Sequence, residues 1–141
     1  MEINGIDVST VVAHYIVAML WSTMDESDEN GGEPMDANYG FNDLADGVRE
    51  SIEADVVTFL QAVGHLITEE NYIGQGSGEY DVAARAGHDL WLTRVGHGCG
   101  FWDGDWESDR HNGLEGPLTQ AANALGDCDP YIGDDGQVYI S

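Results

Sequence analysis

The stretch "AGHDLWLTRVGHGCGFWDGDWESDRH", residues 86–111, gathers three of the chain's five histidines, one of its two cysteines and three of its four tryptophans. His88, Asp89, His97, Cys99 and His111 are residue types that ligate zinc. Asp89 beside His88 or His97 is also a pairing used in acid–base catalysis. Asp103, Asp105, Glu107 and Asp109 alternate in the manner of a calcium loop. Each chemistry meets an obstacle. His97 falls in a tight "VGHG" connection and His88 precedes a strand-like run. A strand advances about 3.3 Å per residue, which separates the two by far more than the ~2 Å of a ligand bond permits. Ser108 stands where an EF-hand needs glycine, and Leu114 where its last glutamate belongs. No serine-nucleophile motif, phosphate loop or paired zinc motif occurs. No catalytic residue, metal ligand or cofactor is therefore assigned, and a metal-binding protein or hydrolase centred on His88–Asp109 stays as an alternative.

The elements around these residues follow from periodicity. Leu90–Arg94 and Cys99–Trp102 read as the strands of a hairpin closed by "VGHG", whose glycines tolerate positive φ. One face then carries Leu90, Leu92, Cys99 and Phe101. The other carries Trp91, Thr93 and Trp102, with Trp91 opposite Trp102. His88, Asp89, Trp91, Arg94, His97, Phe101 and Trp102 are thus expected to be structural, with Arg94 pairing Asp89 or an acid of the 103–109 run. Upstream, Asp7 or Ser9 caps a helix over about residues 10–22, apolar almost all round and therefore central. Met24–Gly40 is an acidic loop rich in turn formers. A second helix from Asn42 or Asp43 to Ile67 carries the stripe Leu44, Val48, Ile52, Val56, Leu60, Val63, Ile67, with Glu50 and Glu53 on its acidic outer face. Asp81–Ala86 allows one short helical turn. Pro117 suits the start and Gly126 the stop of a short helix. Asp129–Gly133 and Gln137–Ile140 form a closing hairpin across Asp134-Asp135-Gly136. The expected architecture is a single α+β domain over residues 1–141, in the order helix–helix–hairpin–helix–hairpin, with an antiparallel sheet packed against helices.

Charge narrows the function. The 141 residues hold 27 acids, 4 arginines and no lysine, for a formal net charge of −23. Such a field repels nucleic acid and anionic membranes and attracts basic proteins. Three readings compete without excluding one another: a DNA mimic, a surface adapted to high salt, and ordinary acidity carried on loops. For the first, alternate residues of an extended 103–109 segment would repeat at about 6.6 Å. Asp103, Asp105, Glu107 and Asp109 would then form a phosphate-like row that Glu50 and Glu53 continue. No apolar run reaches the roughly 18 residues of a membrane span, and "MEINGIDVST" lacks the positive start of a signal peptide. Cys99 and Cys128 are too few for a disulfide framework and are expected to be reduced.

"AGHDLWLTRVGHGCGFWDG" resembles the signature of a widespread family of small, uncharacterised tailed-phage proteins, written GHDxWLTRxGHGxGFWD. "MLWST", "GEPMDANYG" and "YIGDDGQVYI" match its style, so the resemblance spans most of the chain. Val95 departs from the pattern where an asparagine suits the turn. Cys99 departs where a small residue is usual, which weakens it as nucleophile or ligand. The "RESIE" letters at 49–53 also occur in phage inhibitors of uracil-DNA glycosylase, but here they sit within a helical pattern and nothing is carried over. The resemblance implies an acidic viral accessory protein without an activity to transfer, working in the host cytoplasm or associated with the virion. Together with the charge, the expected function is non-enzymatic binding of a basic host protein, a DNA-binding one if mimicry holds, in counter-defence or host takeover. The alternative is a salt-adapted viral protein of structural or virion-associated role.

Overall fold

The computed structural model describes residues 1–25, 32–74, 81–96 and 99–141. Helix α1, Val8–Ser22, is its centre. Val11, Tyr15, Ile16, Ala18 and Met19 are wholly buried, as an apolar surface on most sides of the helix requires. A hairpin of β1 (Glu2–Ile3) and β2 (Ile6–Asp7) leads into it. Its turn residues Asn4 and Gly5 both have positive φ, 53° and 80°, the backbone that a two-residue hairpin of native twist demands. Asp7 stands at the N-cap, where its carboxylate accepts a hydrogen bond from the Thr10 hydroxyl at 2.7 Å.

Two ends of the expected acidic loop pair with each other: β3 (Met24–Asp25) runs antiparallel to β4 (Glu33–Pro34). Residues 26–31 lie outside the described residues. Helix α2, Val48–Val63, follows Gly47, whose φ of 86° sets the helix start later than the stripe alone suggests. The flanking turns of the stripe are short 3-10 segments at Phe41–Asp43 and Gly64–Leu66. The stripe itself faces inward: Val48, Ile52, Val56, Leu60, Val63 and Ile67 are buried.

The hairpin expected at Leu90–Arg94 and Cys99–Trp102 is not there. Val82–Arg94 is one helix, α3. Asp81 caps it by accepting the Ala84 N–H at 2.9 Å, and Ala83, Ala86, Gly87, Leu90 and Trp91 bury one face at helical spacing. Gly96, with φ 67°, ends the helix rather than turning a hairpin. Its N–H donates to the Thr93 carbonyl at 3.1 Å. The Trp91–Trp102 cross-strand pair therefore does not form.

Residues 99–116 run as successive turns with a short 3-10 segment at Gly113–Glu115, then α4 spans Pro117–Asn123 with proline in its first turn. Strands β5 (Pro130–Ile132) and β6 (Val138–Ile140) make the expected closing hairpin, with Tyr131 opposite Tyr139. The protein is α+β, as expected. Among the described residues the strands form three two-stranded antiparallel ribbons instead of one sheet. No helix among the described residues is long and apolar enough to cross a membrane.

Helices α1 and α3 meet so closely that the Gly87 site has no room for a side chain. A Cβ there would lie 2.5 Å from the Val11 carbonyl oxygen and 3.0 Å from the Tyr15 nitrogen. Gly87→Ala should therefore destabilise the protein by about 1–3 kcal/mol, although alanine is the better helix former by about 1 kcal/mol. The midpoint of urea unfolding measures this; a raised midpoint would mean that the two helices separate without cost.

Candidate functional site

Three places gather the residues singled out above. The first is Arg94, at the end of α3. Its Nη1 donates to Asp55 Oδ2 at 2.8 Å and to the Tyr15 hydroxyl at 3.0 Å. Nη2 donates to the Leu125 carbonyl at 3.1 Å and Nε to the Gly126 carbonyl at 2.9 Å. The partner is thus Asp55 of α2, not Asp89 or an acid of the 103–109 run. The reason is that α3 is helical: five residues carry Arg94 well round the helix from Asp89, to the side that meets Tyr15 and Asp55. Next to it, burial pushes the Tyr15 hydroxyl well above its ordinary value, and burial raises the Cys128 thiol too. Cys99 and Cys128 are both free thiols.

The second place is a small pocket of about 180 Å³ on the other side of α3, lined by Tyr72, Arg85, His88, Asp89, Leu92 and Asp105. Asp89 accepts a 2.6 Å hydrogen bond from the Trp106 indole N–H. Burial pushes its carboxyl up to about 7; the Trp106 bond works against this, and Asp103 and Asp105 add to it. Burial, with His14 and Arg85 nearby, lowers His88 below the usual histidine value. Its ring lies 5.4 Å from that of His14. Arg85 sits 4.8 Å above the Tyr72 ring and donates to its hydroxyl at 2.8 Å. From there a run of rings reaches the core. Tyr72 meets Trp106 edge-on at 5.1 Å, Trp106 meets Phe101 at 5.5 Å, and Phe101 stacks on Phe59 of α2 at 5.5 Å. This pocket can hold a proton near neutrality. It is smaller than the roughly 300 Å³ at which small-molecule sites begin.

The acids of 103–109 do not form a row, because the segment is a series of turns and not a strand. Asp103 and Glu107 are exposed, Asp105 is half-buried in the small pocket, and Asp109 is wholly buried. Asp109 accepts from the Ser108 hydroxyl at 2.7 Å, the Leu118 N–H at 3.3 Å, and the Thr119 N–H and hydroxyl at 2.8 Å each. It fastens the start of α4 and is unavailable to a partner. Glu107 holds Arg110 at 3.3 Å. Glu50 is exposed and Glu53 half-buried on α2, remote in chain from the run they were expected to continue. Trp91 and Phe101 are buried and Trp102 half-buried. Trp91 meets Tyr15 edge-on at 5.4 Å and donates its indole N–H to the Ser22 hydroxyl at 2.7 Å. His97 lies outside the described residues.

The third place is a cleft of about 790 Å³ between the ends of α1 and α3 and strand β5. Of its distinctive residues, Cys128 was read from the sequence only as a reduced thiol and Asp129 and Tyr131 only as parts of the closing hairpin, while Asp127 was not singled out. Nor were Arg85, Tyr72 and Asn71, whose side-chain oxygen accepts the Ser108 N–H at 2.8 Å. These residues match no motif, and only the fold brings them together. Among the described residues, no three His, Cys, Asp or Glu side chains converge as a metal-binding set. Comparison of the chain with family models, curated proteins and solved structures returns no match.

Asp89 has a pH signature. Its folded-state pKa lies above the unfolded one, so the folded state holds the proton more tightly. The penalty for ionising it is absent below about pH 4, grows as pH rises to about 7, and is complete above that. Asp89→Asn keeps an acceptor for Trp106 and removes the charge. It should be more stable than the parent at about pH 8, by up to roughly 4 kcal/mol. That advantage should shrink as pH falls toward 4. Urea unfolding across this range measures it, and a pH-independent difference would contradict the account.

Proposed function

We propose that the protein is a non-enzymatic viral accessory factor that binds a basic protein surface of the host. The observation that supports this is the division of charge between inside and outside. Of the four arginines, Arg94 is turned inward, its side chain 6% exposed and paired with Asp55. Arg85 lies on the Tyr72 ring, and Arg110 is held by Glu107. Exposed acids meanwhile occur along the whole length of the described chain, among them Glu2, Asp36, Glu50, Glu70, Asp103, Glu115, Asp127 and Asp134. Arg49 and Arg110 are exposed, but the acids far outnumber them, so the exterior is predominantly anionic, which steers cationic partners toward it. The resemblance to tailed-phage proteins supports the viral setting. Mimicry through a 103–109 phosphate row is not part of the proposal, because the row does not form.

A second reading is favoured by the dispersal of those same acids. A surface adapted to high salt needs them everywhere, whereas a binding surface needs them concentrated. The two readings separate on measurement. Immobilised protein should retain a basic host protein in a stoichiometric complex at low salt and release it as salt approaches about 1 M, where the Debye length falls to roughly 3 Å. Competition by duplex DNA would mark that partner as DNA-binding. If no stoichiometric complex forms at low salt while the melting temperature climbs steeply with salt, the salt-adapted reading replaces the proposal.

A further inference from the structure

We propose that the cleft between the C-terminal ends of α1 and α3 and strand β5 seats an arginine or lysine side chain of a partner protein, presented between apolar neighbours. This rests on the reading that the partner is basic, and it places the contact on one face.

The cleft has the size of a built site. Its volume, about 790 Å³, falls in the roughly 300–1,000 Å³ range of sites that enclose a small ligand. Its floor is apolar and rigid: Trp91 and Met35 are each 1% exposed, and Trp91 is fixed by Ser22 and Tyr15. Its rim carries two large apolar side chains left open to solvent, Met24 and Tyr131, each 46% exposed. The Tyr131 ring is held in place by stacking on Tyr139 at 5.5 Å, and Tyr139 is anchored in turn by donating its hydroxyl to Asp135 at 2.6 Å. A ring fixed before binding loses little conformational freedom on contact and presents a π face to a cation.

Charge selects among occupants. Asp127 and Asp129 are exposed beside this apolar wall. The positive group of the cleft, Arg94, is engaged by Asp55 and by the Leu125 and Gly126 carbonyls. An anionic ligand would meet a chain of net charge −23 and a guanidinium already occupied. A purely apolar ligand would leave the two aspartates without a role. An arginine or lysine fits both features, laying its aliphatic stem along Met24 and Tyr131 while its head reaches the carboxylates.

The test uses the full chain, isotope-labelled, titrated at low salt with two capped peptides, Leu-Arg-Leu and Leu-Gln-Leu. The indole N–H of Trp91 and the amides of Cys128, Tyr131 and Ile132 report on the cleft. The arginine peptide should shift them saturably, and the glutamine peptide should bind weaker by about tenfold or more, the measure of one charge-assisted contact. Asp127→Asn with Asp129→Asn, and separately Tyr131→Ala, should each weaken the arginine peptide. All three side chains are exposed, so the spectrum of the folded core should persist. Equal binding of both peptides, binding unchanged in both variants, or shifts spread over the acidic surface without focus on the cleft would overturn the proposal. A basic protein that still binds the variants with parental affinity would remove the cleft but keep the reading of a basic partner. Saturable arginine binding without any host complex would do the reverse.

Discussion

In a chain with 27 acids and 4 arginines, the position of each guanidinium decides where the structure can close. Arg94 closes most of it. It joins α3 to α1 through Tyr15, to α2 through Asp55, and to the turn after α4 through two carbonyls. Those carbonyls lie in the turn just beyond α4 and its C-cap Ala124, where no helix or strand supplies them with donors. A lysine has the charge but not the planar fork that serves four acceptors at once. By holding residues 125–126, Arg94 also sets where Asp127 to Ile132 run. That path becomes the wall of the larger cleft.

Two internal carboxylates show how differently the fold treats one residue type. Asp109, wholly buried, receives four donors and anchors the start of α4. The neighbouring Gly116 leaves the space it needs, since a Cβ there would fall 2.3 Å from its oxygen. Asp89 receives the Trp106 indole and stands near Asp103 and Asp105, so burial is not offset and the neutral form is favoured. What one carboxylate gains from donors the other lacks. The proton on Asp89 therefore sits one hydrogen bond from Trp106, a member of the ring stack that ends at Phe59.

The long-period features were legible in the sequence. The inward stripe of α2, the central α1, proline at the start of α4 and the Asp-Gly turn of the last hairpin all follow from local rules that tertiary contacts reinforce. Helix α3 was not legible, because its cues are ambiguous. Leu90 and Leu92 alternate as in a strand, and a glycine after Val95 serves equally as a hairpin turn or a helix C-terminus. The deciding cue was Asp81, a cap placed before alanines at helical spacing. Asn4-Gly5 is the Asn-Gly pair of a two-residue hairpin, a local signal that the β1–β2 ribbon realises. The partner of Arg94 lies 39 positions away in Asp55, beyond any local rule. The alternating acids 103–109 suggested extension, but Trp106 between them is wholly buried and draws the segment inward as turns. Burying an indole outweighs any gain from spacing like charges evenly on the surface.

The fold thus puts the chemistry-bearing side chains of residues 86–111 largely to internal use. Asp89 and Trp106 bond each other, Arg94 joins the helices, Trp91 lines the cleft floor, and Asp109 fastens α4. A distinctive stretch of sequence here signals a demanding piece of packing, with Gly87 at its tightest point. The proposed contact uses residues free of such duties. Asp127, Asp129 and Tyr131 sit on a short segment whose path Arg94 fixes from behind, so their side chains are exposed while their backbone is held. A held backbone that presents exposed aspartates beside an open aromatic ring is what the proposed recognition of a partner's cation requires.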